Sequence, residues 1–220
     1  MAKRKLSRYQ ELSGLENVIE LEDYHPETVS PHRGRWCESV FGNDAPLILE
    51  LACGKGDYTL ELAQRYPNIN FVGVDIKGDR IWRGAVEALK NKLTNVRFLR
   101  IYIDHITNYF SEKEVDEIWI TFPDPYLNEK KENKRLTSPM FLEKYRQILK
   151  NGGRVNLKTD SPELFFFTME VIEDQKLIIV SKVLDVHGSK HDVPNMDILT
   201  YYEKKHLEDS RTIYFVSFKP

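Results

Sequence analysis

The chain has 220 residues, 41% apolar and 30% charged, with a formal net charge of −2. This fits one soluble globular domain with a sizeable core plus an extension, and excludes both a uniformly basic surface and a helical membrane span, since no stretch approaches ~20 apolar residues. Two cysteines, Cys37 and Cys53, are too few for a disulfide framework and have no metal-ligand spacing around them, so no metal site is expected. With a basic opening, Met-Ala-Lys-Arg-Lys-Leu, and no apolar signal core, the expected location is the cytoplasm.

Residues 1–45 read as a partly flexible N-terminal extension with one short helix, and 46–220 as the main domain. Lys3, Arg4, Lys5 and Arg8 form either a solvated tail or an arm that grips phosphates. Gly42-Asn43-Asp44 and Pro46 punctuate the approach to the first strand. Leu47 to Leu51, apolar except for Glu50, reads as a strand buried on both faces. It breaks into Gly54-Lys55-Gly56, and a helix is expected from about Asp57 to 66, stopped by Pro67. A second strand at Phe71 to Asp75 precedes a helix at about 79–92. Val96 to Ile103 is a third strand; a short helix near 105–110 leads to a fourth at Glu117 to Thr121. Ser138-Pro139 opens a helix, serine as N-cap and proline in the first turn, which Asn151-Gly152-Gly153 ends. Arg154 to Lys158 is a fifth strand, and Ser161-Pro162 caps another helix. Leu177 to Leu184 and Arg211 to Phe218 are two more strands, separated by a long connection over 185–210.

Strands alternating with helices imply an α/β fold, a mostly parallel Rossmann-like sheet with helices on both faces. Ligands of such sheets bind outside the carboxyl ends of the strands. There the chain places Gly54 and Gly56 with Glu50 before them, then Asp75, Asp104, Phe122-Pro123-Asp124-Pro125 and Thr159-Asp160. Asp75 lies about 20 residues beyond the glycine turn, where an acid accepts from ribose hydroxyls. The cofactor is a dinucleotide or S-adenosylmethionine. The dinucleotide fingerprint needs a third glycine where this chain has Thr59, and an acidic site suits a sulfonium and an amino group better than a pyrophosphate. Both points favour S-adenosylmethionine. Beyond Asp124, Tyr126 offers an aromatic face, and Lys130, Lys131, Lys134 and Arg135 form a basic run suited to a base and its phosphates.

These segments resemble the bacterial tRNA (guanine-N7)-methyltransferase family from about Gly34 to Phe218. The likeness rests on Glu50 to Gly56, Gly73-Val74-Asp75, Phe122 to Pro125 with Asn133-Lys134-Arg135-Leu136, Lys158-Thr159-Asp160 and Thr200-Tyr201-Tyr202-Glu203. It implies a class I methyltransferase fold with a seven-stranded sheet, making 46–220 the methyltransferase domain. The implied reaction transfers a methyl group from S-adenosyl-L-methionine to N7 of a guanine in the tRNA variable loop, position 46 of the tRNA. The implied cofactor residues are Glu50, Gly54, Gly56, Asp75, Asp104 and Asp124, and the implied catalytic residues are Asp124 and Asp160. Asn128, Lys130, Lys131, Lys134, Arg135, Asp160, Thr200, Tyr202 and Glu203 would hold the tRNA, with the chain acting as a monomer or homodimer. Three positions depart from the family pattern: Ala52 for the first glycine, Tyr126 for a tryptophan and Asn128 for a lysine. N7 carries a lone pair and no proton, so the attack needs no general base, which agrees with the absence of a His or Cys nucleophile; none of the six His falls in the strand-end set. The alternative is a methyltransferase acting on a small molecule or a protein.

Overall fold

The computed structural model describes residues 2–21 and 28–220, with side chains from Ser7 onward. The expected short helix of the extension is α1 (Ala2–Leu12), followed by β1 (Val18–Ile19) and a π-helical turn at Cys37–Phe41. The main domain runs β2 (Leu47–Leu51), α2 (Asp57–Arg65), β3 (Asn70–Asp75), α3 (Gly78–Lys90), β4 (Val96–Arg100), α4 (Ile106–Tyr109) and β5 (Val115–Thr121). It continues with α5 (Pro139–Ile148), β6 (Leu149–Thr159), α6 (Pro162–Asp174), β7 (Ile178–Val183), α7 (Tyr201–Glu208) and β8 (Tyr214–Lys219).

The strands form one sheet of eight in the order β1-β4-β3-β2-β5-β6-β8-β7. The pairings from β1 through β6 are parallel, and β8 runs antiparallel to both β6 and β7. Seven of the strands are those expected. The eighth, β1, comes from the extension, where Val18 and Ile19 pair with Phe98 and Leu99 of β4. Two residues carry too little periodicity to announce a strand. The connection after β7 also contains a helix, α7, that was not expected.

Apolar residues cover both faces of the sheet. Leu47, Leu49 and Leu51 of β2 join one core cluster, while Phe71, Phe98 and Trp119 join the cluster on the other face. The extension contributes to both: Leu12 and Trp36 are fully buried. The Trp36 indole donates to the Tyr109 carbonyl at 2.8 Å and stacks on Phe110. α1 packs against the start of α3, where a Cβ on Gly78 would come within 2.7 Å of the Tyr9 ring. The part of the expected flexible stretch at 22–27 lies outside the described residues.

Two helix starts differ in detail. Ser161 caps α6 as expected, its hydroxyl accepting from the Leu164 amide at 3.1 Å. Ser138 occupies the N-cap of α5, but its hydroxyl donates instead to the Asn133 carbonyl at 3.1 Å. The sheet reverses its order at β2, with β3 on one side and β5 on the other. This is the switch point at which such sheets bind ligands.

Candidate active site

At that switch point β2 turns through Ala52, Gly54 and Gly56, all with positive φ (57°, 58° and 76°). The turn rests on Phe98 of β4. A Cβ at Gly56 or Gly84 would come within 2.6 Å of that ring, and one at Gly84 within 2.5 Å of the Lys55 carbonyl. Gly84 of α3 is therefore the seat of the turn, a role that no local sequence signal marks.

Two carboxylates fasten the turn from below. Glu50 is buried and accepts from the Thr59 amide at 2.9 Å, and from the hydroxyls of Thr59 and Thr121. Burial pushes its carboxyl up to about 7, against those hydrogen bonds. Thr59, standing where a dinucleotide site needs glycine, is thus the residue that Glu50 holds. Asp75 accepts from the Gly54 amide at 2.9 Å through one oxygen and from the Lys77 amide at 2.8 Å through the other.

Above the turn lies a cavity of about 290 Å³, near the lower end of the usual range for ligand pockets. Its described lining includes Ala52, Gly54, Lys55, Asp57, Asp124 and Tyr202, but not Glu50, Gly56, Asp75 or Asp104. Of the six expected cofactor residues, only Gly54 and Asp124 therefore face it. Glu50 and Gly56 shape the turn; Asp75 adjoins the cavity through Gly54. Asp104 is exposed, in the short turn at Ile103–His105, and faces the loop after β5. Burial pushes the Tyr126 phenol up, and the carboxylates of Asp124 and Asp104 add to that.

The loop after β5 is strained at Phe122 (φ 48°) and Tyr126 (φ 42°). Arg135 holds it in place. Its guanidinium donates to the carbonyls of Pro125 at 3.1 Å and Tyr126 at 3.2 Å, pairs with Glu132 at 3.1 Å, and lies 4.4 Å over the Phe167 ring. Only 5% exposed, Arg135 has three of its five N–H donors engaged within the protein, so its expected contact with a phosphate falls to what remains of that face. Lys130, Lys131 and Lys134 are exposed, on a 3₁₀ turn that Asn128 caps by accepting from the Lys130 amide at 2.9 Å.

A second cavity of about 520 Å³ adjoins the first and shares Phe122, Pro123 and Tyr202 with it. Asp160 lines this one, 2.8 Å from the Arg211 guanidinium and 3.5 Å from the His206 ring. Glu203 does not reach it. Its side chain is fully buried, 2.7 Å from the Lys158 ammonium and 2.9 Å from the His187 ring. Lys158, itself fully buried, also donates to the carbonyls of Met196 and Ile198 at 3.1 Å each. Burial pushes Lys158 down and Glu203 acts against that shift. Glu203, expected as an acceptor for guanine, here faces inward: a buried ammonium on β6 demands an anion, and α7 supplies it. Thr200 lines the first cavity and caps α7, accepting from the Glu203 amide at 3.1 Å.

Among the described residues no group of three or more His, Cys, Asp or Glu is placed to hold a metal ion, and no helix is long and apolar enough to cross a membrane. This strand order, with a glycine turn at its reversal and a cavity there that holds Asp57 and Asp124, defines a class I methyltransferase. A family model described as a putative methyltransferase matches residues 44–216. The chain is 41% identical, over 99% of its length and 98% of the relative's, to a tRNA (guanine-N(7)-)-methyltransferase of Christiangramia forsetii. It is 47% identical, over 87% of its length and 78% of the relative's, to one of Porphyromonas gingivalis. The chain belongs to the tRNA (guanine-N(7)-)-methyltransferase family. In fold it is similar to the solved structure of a 16S rRNA (adenine(1408)-N(1))-methyltransferase variant from Catenulisporales acidiphilia with cosubstrate SAM. That match has a TM-score of 0.61 and 15% identity over 90% of this chain and 92% of the other.

Proposed function

We infer that the protein transfers a methyl group from S-adenosylmethionine to N7 of a guanine in tRNA, and that the guanine is position 46 of the variable loop. The observation that carries this reading is the pair of adjoining cavities. One holds Asp124 beside the glycine turn, the other holds Asp160, and Phe122, Pro123 and Tyr202 are common to both. A cofactor in the first and a base in the second would meet across that shared wall.

The first cavity fits the cofactor by the chemistry of its groups. Asp57 and Asp124 suit an ammonium and a sulfonium, and the carboxylate of Asp75 keeps lone pairs for ribose hydroxyls beyond the two amides it accepts from. Bound there, S-adenosylmethionine supplies an electrophilic methyl group, and its transfer to N7 leaves a cationic base. The chain's residues act by orientation and charge. Asp124 and Asp160 favour the positive charge that develops on the base, and Tyr202 offers a ring face between the two cavities. Asp160 accepts from the N1–H and N2–H₂ edge of guanine and repels adenine, whose N1 is itself an acceptor. N7 lies on the deep major-groove edge of an RNA helix, so the guanine enters the second cavity unstacked. The exposed Lys130, Lys131 and Lys134 beside its mouth hold the flanking phosphates.

Borohydride–aniline cleavage of unmodified tRNA after reaction tests this, with scission expected at the variable-loop guanine. Asp160→Asn should lower kcat/KM on that tRNA by roughly 30- to 1000-fold, with cofactor affinity by titration unchanged. Methyl transfer to protein or small molecules with none to tRNA would overturn the reading.

A further inference from the structure

Four cations crowd the α3 side of the first cavity. Lys55, Lys77 and Arg80 line it, and Arg83 lies exposed about one turn along α3 from Arg80. Burial pushes the Lys55 ammonium down, and the charges of Arg83 and Arg80 push it further, so these groups act on one another directly. Asp57 partly offsets them, but its carboxylate is also engaged by the Tyr201 amide at 2.8 Å. The Lys55 ammonium itself sits 3.4 Å over the Tyr201 ring. None of the four cations forms an ion pair with a described residue. Several arginines elsewhere are matched by carboxylates: Arg65 with Asp197, Arg100 with Glu20, Arg146 with Glu143, Arg154 with Glu117 and Arg211 with Asp160. Like charges gathered at a cavity mouth with no ion-pair partner repel one another at a cost to stability, which marks a place prepared for an anion.

We propose that Arg80 and Arg83, with Lys55 and Lys77, bind backbone phosphates of the RNA substrate on the α3 side of the cavity. The topology gives the reason for a second grip. β3 and β5 flank β2 on opposite sides, so the α3 cations and the Lys130–Lys134 turn bracket the cavity. An RNA strand held on both sides presents the nucleotide between them to the cavity. α1 packs against α3, with its Arg8 lying 4.8 Å over the Trp82 ring. The inference rests on the tRNA reading above, and the anion that competes for these cations is the α-carboxylate of the cofactor.

The test uses the full chain with Arg80→Gln and Arg83→Gln together, one position half-buried at the cavity wall and the other exposed, with circular dichroism to confirm the fold. Binding of unmodified tRNA is measured over a series of salt concentrations, and S-adenosylmethionine binding by calorimetry. The double variant should bind tRNA roughly tenfold or more weakly at low salt, its log–log salt slope shallower by about one to two units. Its cofactor dissociation constant should stay within about twofold. An unchanged slope with cofactor affinity lost would assign the cations to the carboxylate and overturn the proposal. Unchanged slope and unchanged cofactor affinity would reduce them to a solvated face. If the wild-type chain neither binds nor methylates tRNA, the functional reading itself falls; if it does both and the variant matches it, only this proposal falls.

Discussion

On one wall of the first cavity, the glycine turn is tied down by carboxylates from the strands beside it. Glu50 reaches Thr59, and Asp75 reaches Gly54. On another wall, Thr200 and Tyr202 belong to a segment anchored through a buried ammonium on β6 and a buried carboxylate on α7. The turn distributes its hold over several short hydrogen bonds to backbone and hydroxyl groups. The C-terminal segment concentrates its hold in Lys158 and Glu203, with His187, Met196 and Ile198 as further partners. Losing one bond of the turn removes a part, whereas losing one charge of the pair leaves its partner buried and unmatched.

That contrast is broken most directly at Lys158. Lys158→Met should destabilise the fold by about 3–5 kcal/mol, because the Glu203 carboxylate stays buried without its cation. Adding Glu203→Leu should recover much of the loss, since replacing both partners by apolar groups removes the stranded charge. Urea melts of the three proteins check this. A single variant that melts like wild type, or a double variant as weak as the single, would show that the pair is not what secures this wall.

The turn gives a pH signature instead. Glu50 titrates near 4.5 when unfolded and at about 7 when folded. Below pH 4.5 it is protonated in both states and carries no penalty. As pH rises through the window from 4.5 to 7 the unfolded chain sheds the proton first, so stability falls, by about 3 kcal/mol once above 7. Glu50→Gln has no such proton. Its amide oxygen can accept from Thr59 while its NH₂ donates to Thr121. The stability difference between variant and wild type should therefore move in the variant's favour across that window, and a flat difference curve would sink the argument.

How much of each wall was legible follows from the same physics. The glycine turn, Asp75 and the Phe-Pro-Asp-Pro loop announce themselves because strand, turn and helix are contiguous in the chain. Even there, nothing local announced that Glu50 holds the protein's own helix start: a carboxylate type at a strand end does not say which way it points. Lys158 and Glu203 stand far apart in sequence, inside runs that read as a polar strand end and a charged solvated stretch. Only the antiparallel return of β8 beside β6, with α7 preceding it, brings the segment against the sheet. Gly84 was silent for the same reason, since its partner is the Lys55 carbonyl from another element.

Between the two walls lies the loop that Arg135 holds. Arg135→Ala should cost about 1–3 kcal/mol, from two carbonyl hydrogen bonds, an ion pair and a ring contact. Arg135→Lys should recover little of that, because an ammonium cannot serve two carbonyls and stack on Phe167 with one planar group. Thermal melts separate this from a phosphate role, in which stability would be untouched and only the salt dependence of tRNA binding would change.

The smallest expected effect sharpens the comparison at the turn itself. Ala52 holds φ 57°, the left-handed region in which a Cβ crowds the following carbonyl, and glycine is the usual family residue there. The geometry sets what the alanine costs. Holding an L-residue in that region costs about 1–2 kcal/mol, while alanine returns about 0.4–1 kcal/mol over glycine by restricting the unfolded chain. Ala52→Gly should therefore stabilise by about 0.5–1 kcal/mol net, raising Tm by roughly 1–4 °C for a chain of this size. Calorimetry of the two proteins checks it. A fall in Tm would mean that the Ala52 methyl makes packing contacts worth more than the strain. The strain is held here because Asp75 and Glu50 fix the backbone just beyond the position, at Gly54 and Thr59, so the variant combined with Asp75→Ala should show a different gain from the variant alone.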